Sequence, residues 1–430
     1  MPRALGGAEH GPVRDAFVSQ RDPSVVLVVA GDGERRSVLP LRFAWDAPIR
    51  ENAIARARSG PREGWVVDAG TDATTAPLVE RAMREGTELR DEGRLVFAWE
   101  GPPVADPVSS QRLSSASGAQ RWILDDSRLL TLHRRMRRVE DSAVAFMRHL
   151  SEVRFARAPE LLGTALVHDA EGTTWVGATD QQLIPHSTDL EAALREILRT
   201  GTADERMIRT AENVADALAA LHHALAMPSS DPTFVTAAIT PDELAAWRAA
   251  ARDDLETIAG AGIENVVAVR EQIEAAIAAL PERIETSSAR AHGRLTLRRV
   301  LLIEGEPVFV GFGEAATDRT SPLKDVASLA RSFDAVTREA IASSAHDPTA
   351  DHGERSAAMR DVTARTLAAF VDRYAASAGD LATLPRDPAH RDALIRFFRL
   401  RAALRELREA LARHPAALAG AVDALQAEVR

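Results

Sequence analysis

The 430-residue chain contains no cysteine, and lysine and asparagine are almost missing from it. Without cysteine there is neither a disulfide framework nor a thiolate metal site. Of the 53 lysine and arginine residues only Lys324 is a lysine, and the asparagines are Asn52, Asn213 and Asn265. A site that needs a lysine before position 324, or an asparagine as a metal ligand, therefore has few or no candidates.

Long apolar runs and an excess of positive charge are also missing. No run approaches the roughly 20 residues that a transmembrane helix needs, although 45% of the residues are hydrophobic. The formal net charge is −10, which argues against a nucleic-acid-binding surface. Residues 1–12 lack the pattern of a secretory signal. We therefore expect a globular, cytoplasmic protein that binds neither nucleic acid nor a membrane.

The first part of the chain consists of short apolar segments separated by turn residues, which is typical of strands. The apolar segments 25–29 and 37–43 flank Asp32 and Gly33, a pair that strongly favours a β-hairpin. The proline- and serine-rich segment 102–117 predicts a linker. Further strands are predicted at 65–68, 94–98, 122–124, 128–132, 162–167 and 173–178, and helices at 76–84 and 141–152.

From about residue 189 the hydrophobic period becomes that of α-helices. Thr240, Pro241 and Glu243 combine an N-cap, a proline in the first turn and a capping-box acid, which predicts a helix start. Helices are predicted at 189–198, 204–226, 243–258, 266–279, 322–344, 352–378, 390–413 and 415–428, with a strand pair at 299–303 and 308–312. The sequence therefore predicts an α+β protein with a mainly helical C-terminal part.

Several motifs follow one another in the order in which maltokinases carry them. His292 begins HGRLTLRR, where maltokinases have HGDLHLGQ, and Ser321 begins SPLKDVASLARSFD, which is similar to their SPLRDVAGMLRSFDY. Leu130 begins LTLHRR, which resembles LKVFRR, and weaker matches extend from about residue 22 to about residue 415. The chain thus resembles the maltokinase family of trehalose synthase-associated kinases.

This resemblance implies a bilobal, protein-kinase-like fold of the aminoglycoside phosphotransferase type. Residues 1–106 would form the N-terminal cap subdomain of maltokinases. Residues 107–188 would form the β-rich N-lobe with one helix. Residues 189–430 would form the helical C-lobe, which carries the catalytic and metal loops.

The resemblance also identifies the positions at which such a kinase carries its chemical groups. Thr131 stands in place of the phosphate-pairing lysine, and Ala145 in place of the helix glutamate that orients it. Arg294 replaces the aspartate that accepts or orients the acceptor hydroxyl, and an arginine is no base at neutral pH. Arg299 and Gly311 replace the two magnesium ligands, and a hard cation needs oxygen ligands. We therefore expect no catalytic residue, no metal and no cofactor; ATP and magnesium are expected only of an active kinase.

Other motif positions keep the family's residues or offer alternatives. Asp325 is predicted to brace the loop at Arg294 from the start of a helix, and Glu314 is the acid nearest to the metal position. Of the adjacent His222 and His223, one should be packed inside and one should lie at the surface. The retained motif residues are His292, Gly293, Ser321, Pro322, Asp325 and Arg331, and the segment that resembles a nucleotide-binding hinge is Gln181, Gln182 and Leu183.

Three functions remain open. The first is a maltokinase-like pseudokinase, a regulatory or scaffolding protein of trehalose, maltose or α-glucan metabolism, with a protein partner such as trehalose synthase or an active kinase paralogue. The second is a sensor that binds a nucleotide or a sugar without turnover, in which Arg294, Arg298 and Arg299 hold an anionic ligand. The third is an active ATP-dependent kinase that forms maltose 1-phosphate through a rearranged site.

Overall fold

The computed structural model describes residues 13–21, 24–33, 35–46, 53–72, 75–113, 119–185, 187–200, 204–312, 319–344 and 352–429. They fall into two compact units. The first unit comprises the described parts of Met1–Ser151 and Ala158–His186, and the second those of Glu152–Arg157 and Ser187–Arg430.

The first unit is built on an antiparallel sheet with twelve strands in the described chain. Its central order is β1-β2-β3-β10-β12-β11-β7-β6, with β4 and β5 joined to β3 and with β8 and β9 joined to β10. Two helices accompany it, α1 (Thr75–Glu85) and α2 (Ala143–Glu152). The strands are β1 (Val13–Arg21), β2 (Ser24–Asp32), β3 (Arg35–Trp45), β4 (Ala53–Ser59), β5 (Arg62–Asp68), β6 (Glu88–Arg90), β7 (Arg94–Trp99), β8 (Ser110–Leu113), β9 (Gln120–Leu124), β10 (Arg128–Arg138), β11 (Leu161–His168) and β12 (Thr174–Gln182).

The largest hydrophobic cluster of this unit spans strands from both ends of the sheet's chain segment. Phe17 and Val29 from the first strands pack in the same buried cluster as Trp122, Leu130 and Trp175. Burial of such large side chains contributes about 1.5–3 kcal/mol each to stability. Residues on both sides of the expected boundary at 106 and 107 therefore share a core, and the division into cap and N-lobe stays a prediction.

The second unit is mainly helical. The strands β13, β16 and β17 form a small sheet, and β14 pairs with β15. The strands are β13 (Thr188–Asp189), β14 (Ala237–Ala238), β15 (Ser287–Ser288), β16 (Val300–Ile303) and β17 (Glu306–Phe309). The helices are α3 (Leu190–Thr200), α4 (Asp204–Ala226), α5 (Pro241–Ala259), α6 (Glu264–Val267), α7 (Arg270–Ala278), α8 (Leu323–Ser344), α9 (His352–Ala378), α10 (Pro388–Arg413) and α11 (Leu418–Val429).

The short segment Glu152–Arg157 belongs to the second unit, although the chain on both sides of it belongs to the first. The Glu152 carboxylate accepts hydrogen bonds from the backbone N–H and the hydroxyl of Ser230, at 2.8 and 2.7 Å. The carbonyl oxygen of Arg157 accepts from the N–H of Phe309 in β17, at 2.9 Å. Through these bonds the segment is attached to two separate parts of the second unit.

The predicted hairpin of β2 and β3 is confirmed, with Asp32 opposite Arg35 at its end. The start of α5 is confirmed as well, because Thr240 and Glu243 form the reciprocal hydrogen bonds of a capping box. The predicted helix 266–279 is wrong: Val269, with φ −112° and ψ 12°, separates α6 from α7.

The predicted strand 308–312 is too long, since β17 ends at Phe309. The backbone then turns through Gly311, whose φ is +80°. No helix in the described residues is long and apolar enough to cross a membrane.

Candidate functional site

The loop between β15 and β16 is held in place by the buried carboxylate of Asp325. Its Oδ2 accepts a hydrogen bond from the N–H of His292 at 2.8 Å, and its Oδ1 accepts from the N–H of Gly293 at 2.7 Å. Gly293 has φ +77°, which glycine adopts without strain. Asp325 itself lies in the first turn of α8, where the Ser321 hydroxyl accepts from the N–H of Leu323 and the Pro322 carbonyl accepts from the N–H of Asp325.

A buried chain of hydrogen bonds continues from Asp325 into the helices. The Nε2 atom of His222 lies 3.3 Å from Asp325 Oδ2, and its Nδ1 atom lies 2.7 Å from the hydroxyl of Tyr374. An ionised carboxylate only accepts, so Nε2 of His222 donates to Asp325, and Nδ1 shares a hydrogen bond with the Tyr374 hydroxyl. Burial pushes the pKa of Asp325 up, but the hydrogen bond from His222 and the electrostatic interactions with His222, His292 and Lys324 hold that pKa below its usual value. His222 is thus the packed histidine, and His223 is only half-buried.

The ring of His292 fixes the segment that follows β17. Its Nε2 atom lies 3.0 Å from the carbonyl oxygen of Val310, and the ring packs against Phe312 with centroids 4.9 Å apart. Burial lowers the pKa of His292. The ring is therefore neutral, donates from Nε2, and orders the backbone.

Arg299 and Gly311, the two positions that the resemblance assigns to metal ligands, are in direct contact. Val310 N–H donates to the carbonyl oxygen of Arg299 at 2.9 Å, and Arg299 Nη1 donates to the carbonyl oxygen of Gly311 at 2.5 Å. A Cβ atom on Gly311 would lie 2.6 Å from Arg299 Nη1. The guanidinium therefore fills the space into which a side chain at position 311 would extend.

These residues do not fit a magnesium ion. The metal would meet a positive charge at Arg299 and no side-chain oxygen at Gly311, whereas magnesium prefers carboxylate oxygens. Within the residues that the structure describes, no group of three or more histidine, aspartate or glutamate side chains could hold a metal ion. Glu314 lies outside the described residues.

Thr131 and Ala145 supply neither half of a lysine–glutamate ion pair. Thr131 is buried in β10, opposite Arg121 of β9 and Thr179 of β12. Ala145 lies on the buried face of α2. The neighbouring His133 adds no positive charge, because burial, assisted by Arg121 and Arg137, lowers its pKa to about 4.

The hinge-like segment uses its own backbone donors within the sheet. The N–H of Gln182 donates to the carbonyl oxygen of Glu160 at 2.9 Å, and that of Leu183 donates to the carbonyl oxygen of Ser127 at 2.8 Å. Gln181 pairs with β10 and β11 at once. The N–H groups of Gln182 and Leu183 are thus engaged within the protein, and nucleotide binding by this segment stays a prediction.

A buried charge cluster beside this segment was not expected from the sequence. Arg128 Nη1 lies 2.7 Å from Glu80 Oε1 and 3.1 Å from Asp180 Oδ2. Glu80 Oε2 and Asp180 Oδ1 are buried without a hydrogen-bond partner. Burial raises the pKa of Asp180 to about 7. The positive charge of Arg128 opposes this rise, and the negative charge of Glu80 adds to it. A second arginine, Arg84, also donates to Glu80 Oε1 at 2.8 Å. Burial is therefore the main reason why Asp180 holds a proton close to neutral pH.

Arg294 lines a cavity of about 370 Å³ between the loop, α8 and α10, together with Lys324 of α8 and with Arg401 and Arg405 of α10. Burial lowers the pKa of Lys324 to about 8; Asp325 opposes this, and Arg405, Arg401 and Arg294 add to it. We call this the cationic cavity. Arg401 and Arg405 come from a helix that sequence motifs did not connect with the loop.

The other arginines of this region are engaged elsewhere. Arg331, which also lines the cavity, pairs with Glu406 and with the buried carboxylate of Glu428. Arg298 pairs with Glu191 at 2.9 Å. Of the three arginines expected to hold an anion, Arg294 lines the cavity, whereas Arg298 pairs with Glu191 and Arg299 donates to the Gly311 carbonyl. Binding of an anion by the three together stays a prediction.

Solved structures resemble the chain over nearly its whole length. A glucosamine kinase in complex with glucosamine, ADP and inorganic phosphate is 20% identical, with a TM-score of 0.72 over 98% of this chain and 94% of that one. A second crystal form of glucosamine kinase is 17% identical, with a TM-score of 0.71 over 99% and 96%. The GDP complex of aminoglycoside 2'-phosphotransferase-IIIa is 12% identical, with a TM-score of 0.44 over 75% of this chain and 93% of that chain.

No protein-family model matches the chain, and no curated protein matches its sequence significantly. The chain has the fold of the solved glucosamine kinases. The predicted α+β class with a mainly helical C-terminal part is confirmed.

Proposed function

We propose that the chain is a pseudokinase, a kinase-fold protein that regulates or scaffolds and does not transfer phosphate. The observation that carries the proposal is the contact between Arg299 Nη1 and the carbonyl oxygen of Gly311 at 2.5 Å. Phosphoryl transfer needs magnesium to neutralise the charge that spreads over the phosphate oxygens. A guanidinium at this place repels the ion and occupies its space.

The retained residues support the same interpretation. Asp325, Ser321 and His292 keep the loop and the start of α8 in position through buried hydrogen bonds. Arg294 and Gly311, which would carry the chemistry, have lost their carboxylates. The framework of the site is thus intact while the groups that would react or bind metal are missing.

The metabolic setting rests on the sequence motifs. Their resemblance to maltokinases favours trehalose, maltose or α-glucan metabolism, with trehalose synthase or an active kinase paralogue as the partner. Affinity purification of the tagged full chain from its native host tests this: enrichment of an enzyme of these pathways supports it, and the recovery of unrelated proteins alone contradicts it.

Loss of catalysis is tested on the purified protein. ADP release is measured with ATP, magnesium or manganese, and maltose, glucose or glucosamine as the acceptor. The expected rate does not exceed that of ATP alone. The matched comparison is the variant Thr131→Lys, Arg294→Asp, Arg299→Gln, Gly311→Asp, which restores the four charge roles on the same scaffold and should gain metal-dependent nucleotide binding.

An active sugar kinase is the second candidate. The match to glucosamine kinase over 98% of the chain favours it, because the chain shares the fold of a sugar kinase. Acceptor-dependent ADP release by the unaltered protein would establish this activity and overturn the pseudokinase proposal.

A further inference from the structure

The cationic cavity gathers positive side chains that have no acidic partner. Arg294, Lys324, Arg401 and Arg405 line it, and none of the four forms an ion pair with a carboxylate in the described part of the chain. The Nε atom of Arg401 is buried without a hydrogen-bond partner. Such a cluster is unfavourable in the empty protein, because like charges repel each other more strongly where water is partly excluded.

The acidic residues nearby do not neutralise this cluster. Asp254, the acid that acts on Arg401, pairs with Arg408. Asp325 turns its carboxylate to His222 and to the N–H groups of His292 and Gly293. Glu406, in the cavity wall, pairs with Arg331. Glu409 is therefore the one lining carboxylate in the described chain without an ion pair.

The place of Lys324 strengthens the positive field. It is the second residue of α8, so the positive end of the helix dipole adds to the side-chain charges. Arg401 and Arg405 are one turn apart on α10 and face the same cavity. The four cations therefore converge from three separate elements on one small volume.

We propose that the cationic cavity binds a phosphate group, either as free orthophosphate or as the monoester of a small sugar. An arginine guanidinium can donate two hydrogen bonds at once to two oxygens of a phosphate group. A bound dianion would also relieve the repulsion among the four cations. The volume of about 370 Å³ lies at the small end of ligand pockets, which range from about 300 to 1,000 Å³. Ser328 and Glu409, which also line it, offer partners for sugar hydroxyls, and Phe398 offers an apolar face.

This inference goes beyond the proposed function, because it requires neither ATP nor transfer. It is tested by calorimetry without nucleotide at pH 7 and low salt, with orthophosphate, glucose 6-phosphate and glucose as probes. We expect at least one of the two anions to bind with Kd below about 1 mM and glucose not to bind. Tighter binding of glucose 6-phosphate identifies a sugar monoester as the ligand, and equal or tighter binding of orthophosphate identifies the free anion.

Variants locate the site. Arg405→Gln and Lys324→Met should each weaken anion binding by about tenfold or more. Arg298→Gln removes the same charge from the same loop region, but from an arginine that pairs with Glu191 outside the cavity, and should change affinity by less than about twofold. Absence of binding by both anions at about 10 mM, or an equal loss in Arg298→Gln, would overturn the proposal.

The ligand-free protein gives a second readout. Because Arg405 lies among three other cations and forms no ion pair with a carboxylate of the described chain, Arg405→Gln should raise the midpoint of thermal unfolding in phosphate-free buffer. A lower midpoint would mean that Arg405 has a stabilising partner in the cavity, and would also overturn the proposal.

Discussion

Arg299 donates a hydrogen bond to the carbonyl oxygen of Gly311 at 2.5 Å, and thereby joins the two positions that the maltokinase motifs assign to metal ligands. An aspartate at position 311 would place its carboxylate against this guanidinium. We expect the two to form an ion pair, so that Gly311→Asp alone gains no magnesium binding, whereas Gly311→Asp with Arg299→Gln does. Calorimetric titration of magnesium in the presence of ADP distinguishes the two variants.

The free energy of unfolding of Gly311→Asp and of Gly305→Asp separates backbone strain from the displacement of Arg299. Gly311 has φ +80°, so an aspartate there costs about 1–2 kcal/mol of backbone strain in addition to the displacement of Arg299. Gly305 in the turn between β16 and β17 has φ +91° and open space around a Cβ atom, so Gly305→Asp carries the backbone strain alone. Equal magnesium binding by the single and the double variant at position 311 would refute the obstruction by Arg299.

Among the polar contacts of the loop, those of the Asp325 carboxylate should contribute most to the free energy of unfolding. Asp325→Ala leaves the N–H groups of His292 and Gly293 and the Nε2 proton of His222 buried without an acceptor, and we expect a loss of about 3–5 kcal/mol. Tyr374→Phe leaves only His222 Nδ1 without its hydrogen-bond partner and should cost about 1 kcal/mol. Denaturant unfolding of both variants measures the difference, and equal losses would mean that the loop does not depend on the carboxylate.

Asp180 should make stability fall as the pH rises. The folded state holds its proton up to about pH 7, while an unfolded aspartate loses it near pH 4. The folded state therefore binds more protons in this window, and the contribution of Asp180 falls with a slope of at most about 1.4 kcal/mol per pH unit. Burial is the main cause of this raised pKa; Glu80 adds to it, and Arg128 and the N–H of Gln181 oppose it.

The comparison with Asp180→Asn isolates this effect from other titrations. The unfolding free energy of the variant minus that of the unaltered protein should rise between pH 5 and pH 7. Asp169→Asn is the control: although burial opposes it, hydrogen bonds from Trp175 and the N–H of Thr173, together with Arg36, hold the pKa of Asp169 below its usual value. The unfolding free energy of Asp169→Asn minus that of the unaltered protein should not change between pH 5 and pH 7. A flat difference for Asp180→Asn as well would mean that Asp180 ionises normally.

Lys324 should make phosphate binding in the cationic cavity weaker above about pH 8. Its pKa is about 8 in the empty protein, set by burial, by Asp325 on its own helix and by Arg405, Arg401 and Arg294, so its charge disappears as the pH rises. A bound dianion raises this pKa, because it stabilises the charged form. Lys324 is the only lysine, so selective lysine labelling yields one side-chain NMR signal that reports the titration directly.

The matched variant is Lys324→Arg, which stays charged throughout. It should bind phosphate with little change between pH 7 and pH 9.5, while the unaltered protein loses affinity. The same loss of affinity in both proteins would assign the pH dependence to another group.

Much of the fold follows from local patterns in the sequence. The hairpin of β2 and β3 has its Asp-Gly turn, and α5 has its capping box. The strands β1 and β4 were missed because each lies at an edge and pairs with one neighbour. Their sequences, VRDAFVSQR and AIARARS, contain few large apolar residues, so that even the alternation of alanine and arginine at 55–58 is a weak strand signal.

Sequence motifs predicted which residues occupy the site, but not the contacts between those residues. They located Arg294, Arg299 and Gly311, but could not reveal that Arg299 donates to the backbone of Gly311. The cationic cavity depends on Arg401 and Arg405, which are about a hundred residues away from the loop and reach it only through the packing of α10 against α8. The Asp180 cluster likewise brings together residues from α1, β10 and β12, and no local pattern connects them.

The six residues Glu152–Arg157 have a consequence for any attempt to divide the protein. A gene fragment that starts at position 187 encodes most of the helical unit but removes the acceptor of the Phe309 N–H and the partner of Ser230. A fragment that ends at 151 loses β11 and β12 from the middle of its sheet. Neither unit is therefore a continuous stretch of the sequence. To express either unit alone, or to exchange it, the gene must be rearranged so that residues 152–157 are joined to the helical unit.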